Sequence, residues 1–130
     1  MPLTHIHLST QYTHGERAQI SRILQDVLIT SFDVPKYDCF QLFHRYQKDD
    51  WVIDSNYLSA GRTERFILFE ITAGKPRSYE LQQNFMQQLA AHLAQNLAIA
   101  PSDVMVVIHY NRAQDWSFAS GKLFKLEDIQ

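Results

Sequence analysis

The sequence predicts an α/β domain built from two β-α-β units in series, and three observations carry that prediction. Apolar residues alternate with a period of two in short segments, as strands require. They recur with helical spacing in two longer segments, each closed by a proline. The order strand, helix, strand then appears twice, at an offset of about 65 residues. A right-handed crossover sets the two strands of each unit parallel. The expected architecture is therefore a four-stranded mixed sheet with both helices on one face, in one domain whose units span about 1–46 and 65–110.

Met1 to Leu8 reads as the first strand, with Thr4, Ile6 and Leu8 on one face and Leu3, His5 and His7 on the other. Thr13 to Phe32 is helical. Ile20, Ile23, Leu24, Val27, Leu28 and Phe32 share a face, and Thr13 with Glu16 forms a capping-box pattern. Val34-Pro35 ends this helix, and Cys39 to Tyr46 follows as a strand that buries Cys39. In the second unit Arg65 to Thr72 is a strongly apolar central strand. Ser78 to Leu97 is a helix with Leu81, Phe85, Leu89, Leu93 and Leu97 in one stripe, closed by Ala100-Pro101 before the strand Val104 to Tyr110. Between the units, Gln47 to Gly61 forms a connecting excursion around Trp51. After them, Trp116-Ser117-Phe118 forms a loop whose aromatic rings need cover. No further helix is expected for the second face of the sheet, so oligomerisation is expected to cover it.

At 130 residues, 45% hydrophobic and 20% charged, the chain has the composition of one globular domain. A formal charge of −2 and the lack of a basic stripe argue against nucleic acid as a partner. No apolar run reaches membrane-spanning length, and one cysteine suits a reducing compartment, so no membrane and a cytoplasmic location are expected.

Pro2 is the residue whose chemistry stands out. Removal of Met1 would give it a free secondary amine, a group that no internal residue possesses. An α-amino group titrates near 8 in the absence of perturbation, so its surroundings decide whether it serves as base, acid or nucleophile. Asp38 before the second strand also fits a turn or cap, and Asp103 occupies the matching place in the second unit. Lys75 and Arg77 also fit solvated loop charges, although Ser78 beside them is a good N-cap and leaves helix N–H groups that favour an anion. His5 and His7 make a His-x-His pair with no further ligand at convincing spacing, so no metal is expected. Gly74 reads as a turn residue.

Pro2-Leu3, Val34-Pro35-x-x-Asp38, Lys75-Pro76-Arg77-Ser78 and Asp115-Trp116-Ser117-Phe118 followed by Gly121 come in an order that resembles the tautomerase superfamily. Within it, the chain is most similar to the malonate semialdehyde decarboxylase-like branch, over nearly its whole length. The resemblance implies a homotrimer with the amino-terminal proline at the floor of a pocket, acting on a small oxo acid without a cofactor. It implies Pro2 and Asp38 as catalytic residues, Asp38 orienting or activating water. It also implies Lys75 and Arg77 as the pair that binds the substrate carboxylate, and Trp116 and Phe118 as an apolar wall. The chain departs from that branch at Lys75, where a second arginine is the pattern, and a lysine offers a point charge in place of a planar fork. Keto–enol tautomerisation, hydration and decarboxylation all fit this set. The alternative is a non-catalytic trimer that keeps Met1, in which Pro2 is an amide nitrogen without a usable lone pair.

Overall fold

The computed structural model describes residues 1–129. It contains β1 (Pro2–Ser9), α1 (His14–Phe32), β2 (Phe40–Tyr46), β3 (Ile67–Ala73), α2 (Tyr79–Leu97) and β4 (Val104–Tyr110). The strands form one sheet in the order β2-β1-β3-β4. β1 pairs parallel with β2, and β3 with β4, while the two units meet through the antiparallel pair β1 and β3. The expected mixed sheet and tandem units are therefore the observed fold.

Residues opposite one another in adjacent strands share a face. Thr4, Ile6 and Leu8 lie opposite Ile71, Phe69 and Ile67, and all six are fully buried. The helices cover this face. α1 brings the six apolar residues that its sequence spacing singled out, all buried. α2 brings Phe85, Leu89 and Leu93, and the rings of Phe32 and Phe85 stack between the helices at 4.6 Å. Leu81 departs from its expected stripe and is exposed, because the first turn of α2 extends beyond the core.

Both helices start and stop as local chemistry dictates. Thr13 Oγ1 accepts from Glu16 N–H at 3.1 Å, and Glu16 Oε1 accepts from Thr13 N–H at 2.9 Å, completing the capping box. Ser78 caps α2 by accepting from Leu81 N–H. Each helix ends on a left-handed residue, Asp33 or Ala98, both at φ 54°. The next residue, Val34 or Ile99, is buried and returns its N–H to Leu28 O or Leu93 O. Cys39 differs from expectation: it precedes β2 rather than lying within it, and it is exposed.

Strand direction decides where a site can form. β1 and β2 start at the same end of the sheet at which β3 and β4 finish, since Leu3 lies opposite Phe40 and Thr72, and Ala73 opposite Tyr110. The segments before β2, after β3 and after β4 therefore converge on Pro2. The excursion with Trp51 leaves from the other end, where Trp51 stacks on Tyr46 at 4.8 Å and meets Phe66 edge-on. Seven strand residues, about 23 Å, separate it from Pro2. Within one chain it cannot shape a pocket at Pro2.

Candidate active site

Met1 marks the centre of this convergence. It is 5% exposed, and its ammonium stands 2.7 Å from Asp38 Oδ2. Its carbonyl accepts from Gly74 N–H at 3.4 Å. Asp38 Oδ1 is buried and has no hydrogen-bond partner among the described residues. Three covalent bonds separate the Met1 and Pro2 nitrogens, so they lie within about 3.7 Å of each other. The Pro2 nitrogen thus lies within about 6.4 Å of Asp38 Oδ2, and the inner oxygen of Asp38 has no partner among the described residues.

Two clefts flank Met1. One, of about 270 Å³, is lined by Asp38, Phe40, Phe118 and Phe124 together with Met1, Pro35 and Ile129. The other, of about 360 Å³, is lined by Lys75, Arg77, Asp33 and Phe32, again with Met1, Pro35 and Ile129. Met1 is the partition between an aromatic lobe and a charged lobe.

Each residue singled out in the sequence takes a definite place. Lys75 is exposed at the rim of the charged lobe. Arg77 is half-buried: Nη1 donates to Lys75 O at 2.5 Å, Nη2 donates to Phe32 O at 3.0 Å, and the guanidinium lies 5.1 Å from the Phe32 ring centre. Burial lowers the Arg77 pKa, against opposing contributions from Tyr110, Asp33 and Asp38. It is therefore no freely solvated charge. It also caps the C-terminal end of α1, where a cation is favoured. Trp116 is held by donation from Nε1 to Asn111 Oδ1 at 2.6 Å, and it stacks on Phe118 at 5.6 Å. Phe118 is covered in turn by Phe40 and, edge-on, by Phe124.

Sequence reasoning missed several participants. Phe40 and Phe124 complete the aromatic lobe, and from the C-terminal segment Ile129 lines both lobes while Leu126 lines the charged one. Gly74 was expected as a turn residue and bends the chain just after β3, with a φ outside the left-handed region. A Cβ there would come within 2.7 Å of Trp116 Nε1 and 2.8 Å of Met1 Cε. Close approach to Trp116, rather than a positive φ, disfavours a larger residue there. The exposed Cys39 has its thiol pKa raised by partial burial and by the Asp38 charge, which disfavours the reactive thiolate.

Elsewhere, a cleft lined by Lys48, Trp51, Arg62 and Phe66 surrounds the excursion at the far end of the sheet and holds none of these residues. Among the described residues, no group of three or more His, Cys, Asp or Glu side chains is arranged to hold a metal ion. No helix among them is long and apolar enough to cross a membrane.

Comparison with known proteins places this geometry. The family model described as "Tautomerase enzyme" matches residues 38–119. The probable tautomerase YusQ of Bacillus subtilis (strain 168) is 28% identical over 127 residues, covering 98% of this chain and all of that protein. Malonate semialdehyde decarboxylase, described as having decarboxylase and hydratase activities, superposes with a TM-score of 0.87 at 26% identity, over 93% of each chain. A fused 4-OT, described as a symmetric trimer, gives a TM-score of 0.76 at 20% identity, over 93% of this chain and 94% of that one. Its likeness is one of fold. From the doubled β-α-β sheet, the residues that converge on Pro2 and a family match over more than half its length, the chain belongs to the tautomerase family of enzymes, in a branch like that of malonate semialdehyde decarboxylase.

Proposed function

We propose that this enzyme works through the amine of Pro2, exposed by removal of Met1, on small oxo acids or their enols, as a homotrimer without a cofactor. The observation that carries the reading is the 2.7 Å contact of the Met1 ammonium with Asp38, which supports a carboxylate partner for the neighbouring Pro2 amine once Met1 is gone. Lys75 and Arg77 receive the substrate carboxylate in the charged lobe, and Trp116 and Phe118 pack on its carbon chain. The Asp38 carboxylate favours the protonated amine, while burial and the two cations oppose it. Ketonisation then balances in protons. Asp38 takes the enol hydroxyl proton as the carbonyl forms, the Pro2 ammonium gives a proton to carbon, and Asp38 returns its own to Pro2.

A second reading, decarboxylation or hydration, draws on the similarity to malonate semialdehyde decarboxylase. Here the Pro2 ammonium donates to the carbonyl oxygen while the bond to the carboxylate breaks and carbon dioxide leaves. Lysine at position 75 lacks the fork that would grip that carboxylate, so tautomerisation ranks first. The trimer reading is supported by the sheet face opposite the helices, where Leu42 is 49% and Met105 41% exposed.

The first test is the mass of the purified protein, expected to lack one methionine. Retained Met1 would instead favour the non-catalytic trimer. The second is Pro2→Ala in the processed protein, which should lower turnover of a phenylenolpyruvate-type substrate by at least about a hundredfold. Undiminished turnover would remove the proline from the mechanism. A titration of the Pro2 nitrogen by NMR tests the step that both readings share: a pKa near about 9 keeps the ammonium that each requires, and one near about 6 would make Pro2 a base and overturn its role as proton donor.

A further inference from the structure

Four imidazoles crowd the sheet face that the helices leave open. Strand register sets His5 and His7 of β1 beside His44 of β2 on that face, with Glu70 of β3 between His5 and Val107, and His109 at the β4 edge opposite Thr72. Tyr46 completes the titratable groups that the four strands present there. Leu3, Leu42, Leu68, Met105 and Val107 frame the cluster with apolar surface.

The hydrogen bonds fix how many protons this cluster can hold. His5 Nδ1 and His44 Nε2 are 2.7 Å apart, so one nitrogen must donate and the other must accept. Two neutral rings satisfy that bond, and so does one charged ring. Two charged rings break it and oppose like charges at contact distance. His7 is different, with Tyr46 Oη 2.6 Å from Nδ1 and Glu70 Oε1 3.0 Å from Nε2. It can carry a proton against the Glu70 carboxylate. His109 Nε2 is 3.9 Å from the other oxygen of the same carboxylate. One carboxylate therefore serves two histidines, and the His5–His44 pair has none. The His44 pKa is lowered by burial first and then by His7 and His5, with Glu70 opposing.

We propose that this face closes on further copies of the chain and that the histidine cluster makes the closure pH-dependent: assembled when the imidazoles are neutral, released when the His5–His44 pair is protonated. The inference rests on the trimer reading above, which supplies the occupant of the face. Each copy brings four imidazoles against one carboxylate, so closure gathers positive charge in proportion to the copies joined. The sign follows from linkage. Burial at an interface lowers an imidazole pKa further, so association is full above the ordinary histidine value of about 6.5 and weakens as pH falls below it. Each proton taken up by a copy weakens association about tenfold per pH unit, and a closed trimer multiplies that effect over its copies.

Sedimentation velocity at about pH 7.5 and about pH 5, with far-UV circular dichroism at both, tests the proposal across the imidazole range. The wild type is expected as a trimer at the higher pH and as a folded monomer at the lower. The double variant His5→Gln, His44→Gln keeps a neutral hydrogen-bonding pair and should remain a trimer at both. A wild-type trimer at both pH values overturns the switch and leaves the trimer reading intact. A monomer at pH 7.5 overturns the trimer reading itself. Loss of helical signal together with dissociation, or a variant that dissociates with the wild type, assigns the change to other groups and overturns the role of the pair.

Discussion

In the second unit Asp103 is 2% exposed and both its oxygens are taken, one by Thr63 N–H and one by the Thr63 hydroxyl, each at 2.6 Å. In the first unit Asp38 occupies the matching place, yet it faces the amino terminus and keeps one oxygen free of any described partner. The two carboxylates therefore predict opposite phenotypes. Asp103→Ala removes a buried carboxylate and both of its hydrogen bonds to Thr63, and should cost about 1–3 kcal/mol of stability. Its kcat/KM at a temperature where the protein stays folded should be nearly that of wild type. Asp38→Asn, close to isosteric, should change stability little and lower kcat/KM by at least about tenfold, as the loss of an acid–base partner requires. Urea denaturation and steady-state kinetics on both variants check the pair. A stability loss without an activity loss at Asp38 would mark it as structural. Apart from the family resemblance, which singled out Asp38, the sequence could not separate these residues, because each precedes a strand and the difference lies in what a remote segment brings: Thr63 to one, the chain terminus to the other. The same holds for Gly74, whose constraint comes from Trp116 more than forty residues away.

Helices and strands were legible because their signals are local. Thr13 and Glu16, or Ser78 and Leu81, meet within one turn, so the caps follow from neighbouring residues alone. The stripe on α1 held in full, whereas that on α2 lost Leu81, since periodicity says which way a residue points and not how far the core extends. The helix ends are less visible. Both fall on a non-glycine residue in the left-handed region, where the usual choice is glycine. Asp33 borders the charged lobe, but Ala98 is exposed and far along the chain from any site residue. Ala98→Gly removes the Cβ penalty at φ 54° and should therefore stabilise the protein by about 1 kcal/mol, a rise of about 3–5 °C in Tm. Calorimetry reads this directly, with activity unchanged. An unchanged or lower Tm would show that the unfolded-state entropy of glycine offsets the relief.

The whole molecule has a one-sided design. Two helices bury Ile6, Leu8, Ile67, Phe69 and Ile71, while the opposite side of the same strands keeps leucine, methionine and valine within reach of solvent. The sequence made this imbalance visible, as it requires only a count of helices against sheet faces. The charge on that face was not visible, because Glu70 and His7 meet only through the β1–β3 register. If copies of the chain cover the face, substitutions there should be harmless to one copy and costly to the assembly. Leu42 and Met105 suit this test, being 49% and 41% exposed and lining neither of the clefts beside Met1. Leu42→Asp with Met105→Asp puts two carboxylates where no core contact is lost. Within one chain the cost should be small, about 0.5 kcal/mol or less at each exposed site. At a closed interface each becomes an unpaired buried charge that costs several kcal/mol. The expected variant is a folded monomer with wild-type helical signal at neutral pH, whose activity falls if a neighbouring copy helps to close the lobes at Pro2. Equilibrium sedimentation alongside turnover measures both. A variant that stays trimeric would place the contacts between copies on another surface, and an active monomer would show that one chain completes the site alone.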